Sequence, residues 1–270
     1  MNTMTRPALH AYIEGIGLLG PGLSDWPQAA AILAGRETYT AARTVLPAPA
    51  LLPPAERRRA VQMVKLTLAA GLEAATAAQR DAATLASIFT SSSGDGQNMN
   101  AICETLASSE REISPTRFHN SVHNAAAGYW GIAVGATAAS TALCAYDGSF
   151  VAGLIEAFAW LASEHEPVLL LAYDVDYPEP LHALRPVPDA FCVALVLAPE
   201  RSERTLATIS AQLSADTATT LAQPALEALR SAIPAARALP LLEAIACERD
   251  GEIALDYLDD CRLALTVRNA

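Results

Sequence analysis

Apolar residues along this chain fall into two kinds of run that alternate from one end to the other. Residues 9–20 read LHAYIEGIGLLG, an apolar strand broken by glycines, and the following PGLSDW supplies a turn with a Ser or Asp able to cap a helix over about 26–34. Gly35 ends that helix, and the prolines of LPAPALLPPAE (46–56) keep the next stretch a loop, since each removes a backbone donor and clashes with the preceding turn. Beyond Pro53 and Pro54, Val61, Val64, Leu66, Leu68, Ala69 and Leu72 recur at helical spacing, which predicts one long helix through AERRRAVQMVKLTLAAGLEAATAA. TLASIFT (84–90) is a short strand that opens into the polar SSSGDGQNMN and then the helical AICETLAS.

The alternation continues. FHNSVHNAAAGYWGIAVGA starts polar and becomes an Ala/Gly-rich helix, residues 139–145 form a small-residue strand, and 149–162 form an almost entirely apolar helix that must be covered on nearly all sides. PVLLLAY (167–173) and AFCVALVL (190–197) are continuous apolar runs of strand length, as expected of central strands covered on both faces. After Pro199 the pattern weakens to a strand in LATISAQL, Ala-rich helical stretches with internal prolines, and a last strand in RLALTV (262–267). Buried strands alternating with helices predict an α/β layered sheet with helices on both sides.

Composition narrows the function classes. With 270 residues, 52% hydrophobic and 17% charged, the chain is far too apolar for disorder and has no run of eighteen apolar residues to suggest a membrane span. Eighteen basic against 29 acidic residues give −11, and the one lysine is Lys65, so a general grip on nucleic-acid phosphates is not expected. Five scattered cysteines without a CxxC pair indicate neither a disulfide framework nor zinc. Met1 to His10 lacks the layout of a secretory signal, which makes the reduced cytoplasm the expected compartment.

Several short patterns carry chemical possibilities. Gly15, Gly17 and Gly20 match GxGxxG after a strand, but Pro21 and Ser24-Asp25 intervene before the helix, so a strand-end turn is favoured over dinucleotide binding. Ser91 to Gly96, SSSGDG, lacks a phosphate-loop lysine and reads as a turn. Arg57, Arg58 and Arg59 form the one basic cluster, able to steer an acidic partner although such runs are more often a solvated helix face. His119 and His123 at i, i+4 would share a helical face, yet no third ligand lies near, so they read as structural histidines and not metal ligands. Cys144, between a strand and a helix start, is placed for a lowered thiol pKa or for an inert burial.

Taken in order, AYIEGIGLLGPGLSDW, FHNSVHNAAAGYWGIAVGA with Asn124, Ala127 and Gly128, and STALCAYDGSFVAGLIEA resemble the N-terminal half of β-ketoacyl synthases of the thiolase superfamily, from Tyr12 to about Leu197. The triple arginine, SPTRFHNSVHNAAAG and PVLLLAYDVDYPEP resemble more narrowly the chain-length factors of aryl polyene and xanthomonadin-type pigment synthesis. The resemblance implies a thiolase-like layered α/β fold: a ketosynthase-like half over 1–200, and a shortened, divergent C-terminal remnant over 201–270 packed on it. Aligning Gly148 with the glycine of the ketosynthase elbow puts Ala145 at the nucleophile position, in a turn made of Cys144, Ala145, Tyr146, Asp147, Gly148 and Ser149. Alanine cannot form a thioester. The family's two catalytic histidines come from a C-terminal half that is not recognisable after Leu197, and His165 and His182 are not in matching contexts.

The resemblance therefore implies a catalytically silent subunit pairing with a complete ketosynthase and serving an acyl carrier protein, with no cofactor and no metal. A homodimer is the other assembly it allows. It implies strand pairing across a two-fold axis through about 138–144, a chain-length tunnel bounded by Phe118, Tyr146 and Phe150, and carrier docking at Arg57, Arg58 and Arg59. The alternative is a stand-alone acyltransferase or thioesterase using Cys144 with His123 as base.

Overall fold

The computed structural model describes residues 9–270; the segment before Leu9, which includes most of the stretch read for a signal, lies outside them. One eight-stranded mixed sheet organises the chain. Its strands are β1 (Leu9–Leu19), β2 (Ala86–Thr90), β3 (Ser140–Leu143), β4 (Val168–Asp174), β5 (Phe191–Ala198), β6 (Ala207–Ser214), β7 (Gly251–Leu258) and β8 (Cys261–Asn269), in the spatial order β3-β2-β4-β5-β1-β6-β8-β7. β2 runs parallel to both β3 and β4, and the remaining neighbours pair antiparallel. The helices are α1 (Trp26–Leu33), α2 (Pro54–Arg59), α3 (Gln62–Ala77), α4 (Gly96–Ala107), α5 (Pro115–Asn120), α6 (Ala125–Val134), α7 (Ser149–Glu164), α8 (Leu181–Leu184), α9 (Pro224–Ala232) and α10 (Leu239–Ala246).

The fold is α/β, and the continuous apolar strands are covered on both faces as their pattern requires. Val168, Leu170 and Ala172 of β4, with Val193, Leu195 and Leu197 of β5, pack in one layer with α1, α7 and α10. The alternate residues Leu169, Leu171, Cys192, Ala194 and Val196 pack under α3 and α6 in the other. The C-terminal residues do not form a separate layer of sheet: β6, β8 and β7 extend the same sheet beyond β1.

Three local expectations are corrected. The single long helix is two, because Ala60 and Val61 are extended and split α2 from α3. The FHNSVHN stretch is likewise broken between α5 and α6, so His119 and His123 share no helical face. α7 is covered on one side only, with Ala159 and Ala162 reaching solvent. The glycines of β1 have a packing reason: a Cβ on Gly17 would stand 2.0 Å from the Ala70 carbonyl oxygen, and one on Gly15 2.2 Å from that of Ala74, so α3 lies directly on the strand backbone. That close approach, and not a phosphate, explains the GxG pattern.

Candidate functional site

Because β2, β3 and β4 are parallel, their C-terminal ends come together: Thr90 is in register with Leu143 on one side and with Ala172, two residues before Asp174, on the other. Loops leaving that end of a sheet are where α/β folds collect functional groups. Three meet here: Ser91–Gly94 after β2, the elbow 144–148 after β3, and 175–180 after β4.

Asp174 is the anchor. Its buried carboxylate accepts from Ser92 N at 2.9 Å, Ser92 Oγ at 2.6 Å and, from the C-terminal segment, Ala235 N at 2.8 Å. Burial pushes its pKa up, while the bonds from Ser92 and Ala235 and the charge of Arg185 pull the other way. The β2 loop and the 3-10 turn Pro234–Ala238 are thus tied to one carboxylate.

In the elbow, the exposed Cys144 donates its thiol hydrogen to Ser92 O at 3.2 Å. Ala145 N donates to Ser149 Oγ at 3.0 Å, and that hydroxyl donates to Tyr146 O at 2.7 Å, which fixes the turn into α7. Tyr146 takes a left-handed φ of 51°, a strained conformation for an aromatic residue, with its ring 3.8 Å from the Arg185 guanidinium. Asp147 receives Arg185 and, at 3.1 Å, Arg237. Arg185 also donates to the Tyr177 hydroxyl at 3.0 Å, which donates to Ser93 Oγ at 2.5 Å. At Gly148 a Cβ would lie 2.6 Å from Tyr257 O, so glycine lets β7 close on the elbow.

His123 lies in the turn before α6, its Nε2 2.7 Å from Leu143 O. A carbonyl only accepts, so Nε2 carries the hydrogen, and Nδ1, beside Gly94, makes no hydrogen bond among the described residues. No hydrogen bond among the described residues joins Cys144 to His123. His119 meets the Tyr129 ring edge-on at 5.9 Å. Asn124 is exposed and caps nothing with its side chain. Among the described residues no group of three or more His, Cys, Asp or Glu is arranged to hold a metal, and no helix is long and apolar enough to cross a membrane.

The tunnel candidates separate. Phe118 is 64% exposed and Tyr146 61%, whereas Phe150 is enclosed in the core at 1%, on the inner face of α7. The arginine cluster is partly spent: Arg57 holds Ala50 O and Leu52 O, Arg59 pairs with Glu56 at 3.0 Å, and Arg58 is exposed. Sequence reading missed Asp174, Tyr177, Arg185 and Arg237. A carboxylate ending an otherwise apolar buried strand was the available signal for Asp174; nothing local marks the two arginines, which reach Asp147 from 38 and 90 residues away.

Residues 25–249 match the family model described as beta-ketoacyl synthase, N-terminal domain. No curated protein sequence matches the chain. Among solved structures, a ketosynthase in complex with its chain length factor from Xenorhabdus doucetiae is similar over 95% of this chain and 98% of that one, with TM-score 0.73 and 22% identity. The ishigamide ketosynthase/chain length factor matches over 96% and 99%, with TM-score 0.72 and 15% identity. A type II PKS acyl-carrier protein in complex with its ketosynthase bound to the hexaketide matches over 97% and 99%, with TM-score 0.72 and 12% identity. The likeness is one of fold.

Proposed function

We propose, since the chain belongs to the β-ketoacyl synthase family, that it is a non-catalytic ketosynthase-like subunit, a chain-length factor that pairs with a complete β-ketoacyl synthase and serves an acyl carrier protein. The carrying observation is that Ala145 stands in the turn between β3 and α7, three residues before Gly148, at the position the resemblance gives to the family's nucleophile. Its surroundings support the same reading. The C-terminal segment reaches the elbow with Arg237 and the Asp174 carboxylate with the Ala235 amide, and the chain has no histidine after His182, so this segment brings neither of the histidines that decarboxylation and oxyanion stabilisation would use.

The partner is suggested by the sheet. β3 is an end strand, its outer edge unpaired among the described residues, and an open edge of this kind is a template for another strand. Exposed Phe118 and Tyr146 then take the role of bulky residues bounding a shared chamber, and Arg58 that of a carrier-docking charge. In this reading residues 1–200 are the ketosynthase-like half and 201–270 a reduced C-terminal segment whose strands lengthen the sheet.

The test is co-expression with a complete ketosynthase and assay of condensation from malonyl units on a carrier protein. The reading expects a 1:1 complex, condensation by the complex, and none by this chain alone. Condensation by the lone chain, or no complex with any ketosynthase encoded beside it, would refute it.

A further inference from the structure

Arg185 and Arg237 both contact one carboxylate, Asp147, and line a common pocket with it, so that pocket lining holds two guanidiniums against one carboxylate, with buried Asp174 facing Arg185 from behind. Arg237 gives one nitrogen, Nη2, to Asp147; no hydrogen bond among the described residues uses its Nε or Nη1. The Tyr146 hydroxyl is also unspent among those residues. Arg237 Nε and Nη1 are thus open donors at this spot among the described residues.

These groups open on a pocket of about 240 Å³ between the elbow, α8 and the start of the 3-10 turn, with Leu184, Pro186 and Pro234 as its apolar walls. Leu184 is 85% exposed, an unusual place for a leucine. At about 30 Å³ per water the volume is that of roughly eight waters, room for one aromatic ring or a short acyl body with its head group. We infer that this pocket binds a small organic anion, its carboxylate or phosphate head on Arg237 and Arg185 and its apolar body against Leu184, Pro186, Pro234 and the Tyr146 ring. A doubly hydrogen-bonded guanidinium suits either head group, because both present coplanar oxygens to its fork. The site adjoins the Ala145 position, since Tyr146 and Asp147 belong to both the elbow and the pocket, but binding to the lone chain is read without any partner subunit.

The experiment is calorimetric titration of the full chain with benzoate, acetate and inorganic phosphate at constant ionic strength. Saturable benzoate binding, tighter than acetate, assigns a carboxylate with an apolar body; saturable phosphate binding at least as tight assigns a phosphate ester as the ligand class. In either case Arg237→Gln weakens binding about tenfold or more, because a charge-assisted bond is lost. Leu184→Glu, a surface change that leaves the core untouched, weakens it as well by setting a like charge at the rim. Arg36→Gln, an exposed position outside the pocket lining, leaves it unchanged. Absence of saturable binding of both benzoate and phosphate, or binding that survives both Arg237→Gln and Leu184→Glu, would overturn the site.

Discussion

Replacing Ala142 by proline separates the fold of this chain from its partnership. Ser87 N donates to Ala139 O at 3.0 Å and Ser91 N to Leu143 O at 3.3 Å. In a parallel ladder the bonds to one neighbour use alternate residues, so Ala139, Thr141 and Leu143 face β2 while Ser140 and Ala142 turn their N–H and C=O outward. Proline at 142 thus removes no bond within the chain, and it asks of Thr141 only the extended conformation that a strand residue already has. At a strand-paired interface it removes one donor, worth about 1 kcal/mol, and strands the partner's carbonyl at about 1–3 kcal/mol, so about 2–4 kcal/mol in all. That is roughly 30- to 1000-fold in Kd. Sedimentation or calorimetry of the chain with its ketosynthase measures the affinity, and thermal melting of the lone chain checks the fold. A Kd within threefold of the unsubstituted chain, with the fold intact, would refute pairing through β3.

Gly17→Ala should destabilise the chain by about 3 kcal/mol, the upper part of the range for overpacking, since the new methyl meets the Ala70 carbonyl at 2.0 Å and α3 must lift from β1. Urea unfolding measures this, and a loss under 1 kcal/mol would show that the helix does not sit so close. The hydrogen bond from Arg230, first among several contacts, holds the Glu227 pKa down at about 2 against an ordinary 4.5. Because the folded value is the lower one, this stabilisation is complete above pH 4.5 and is lost as the pH falls towards 2. Glu227→Gln should cost about 2 kcal/mol at pH 7 and flatten the acid limb of a pH–stability curve, since the two hydrogen bonds from Arg230 Nε and Nη2 lose the carboxylate's charge and one of its two acceptors while Asp256 remains. An acid limb as steep as before would count against the Glu227–Arg230 pair.

Strands were the legible part of this fold. Apolar runs such as VLLLAYD and FCVALVLA allow little but a buried strand, and each is one in the structure. Helix breaks were less visible, because nothing in the apolar spacing around Ala60 announces an extended pair, and because the polar HNSVHN can be written on a helix as readily as in a turn. The weakly patterned C-terminal segment gave up β6 and β8 but neither β7, which was not read as a strand, nor the placement of the three. Whether β6 continues the first sheet or starts another depends on pairing with β1 at positions such as Ala11 and Ile209, nearly two hundred residues apart. The elbow could be located by its resemblance, whereas the charges around it come from α8 and the 3-10 turn and become neighbours only through the fold.

Intact-protein mass after incubation with acyl-loaded carrier protein, for this chain alone and with a ketosynthase, followed by peptide mapping, tests the silent-subunit reading most directly. The account predicts an acyl adduct on the ketosynthase and none on this chain in either sample. An adduct on Cys144 of the lone chain, lost in Cys144→Ser, would contradict it and make the chain an acyltransferase in its own right.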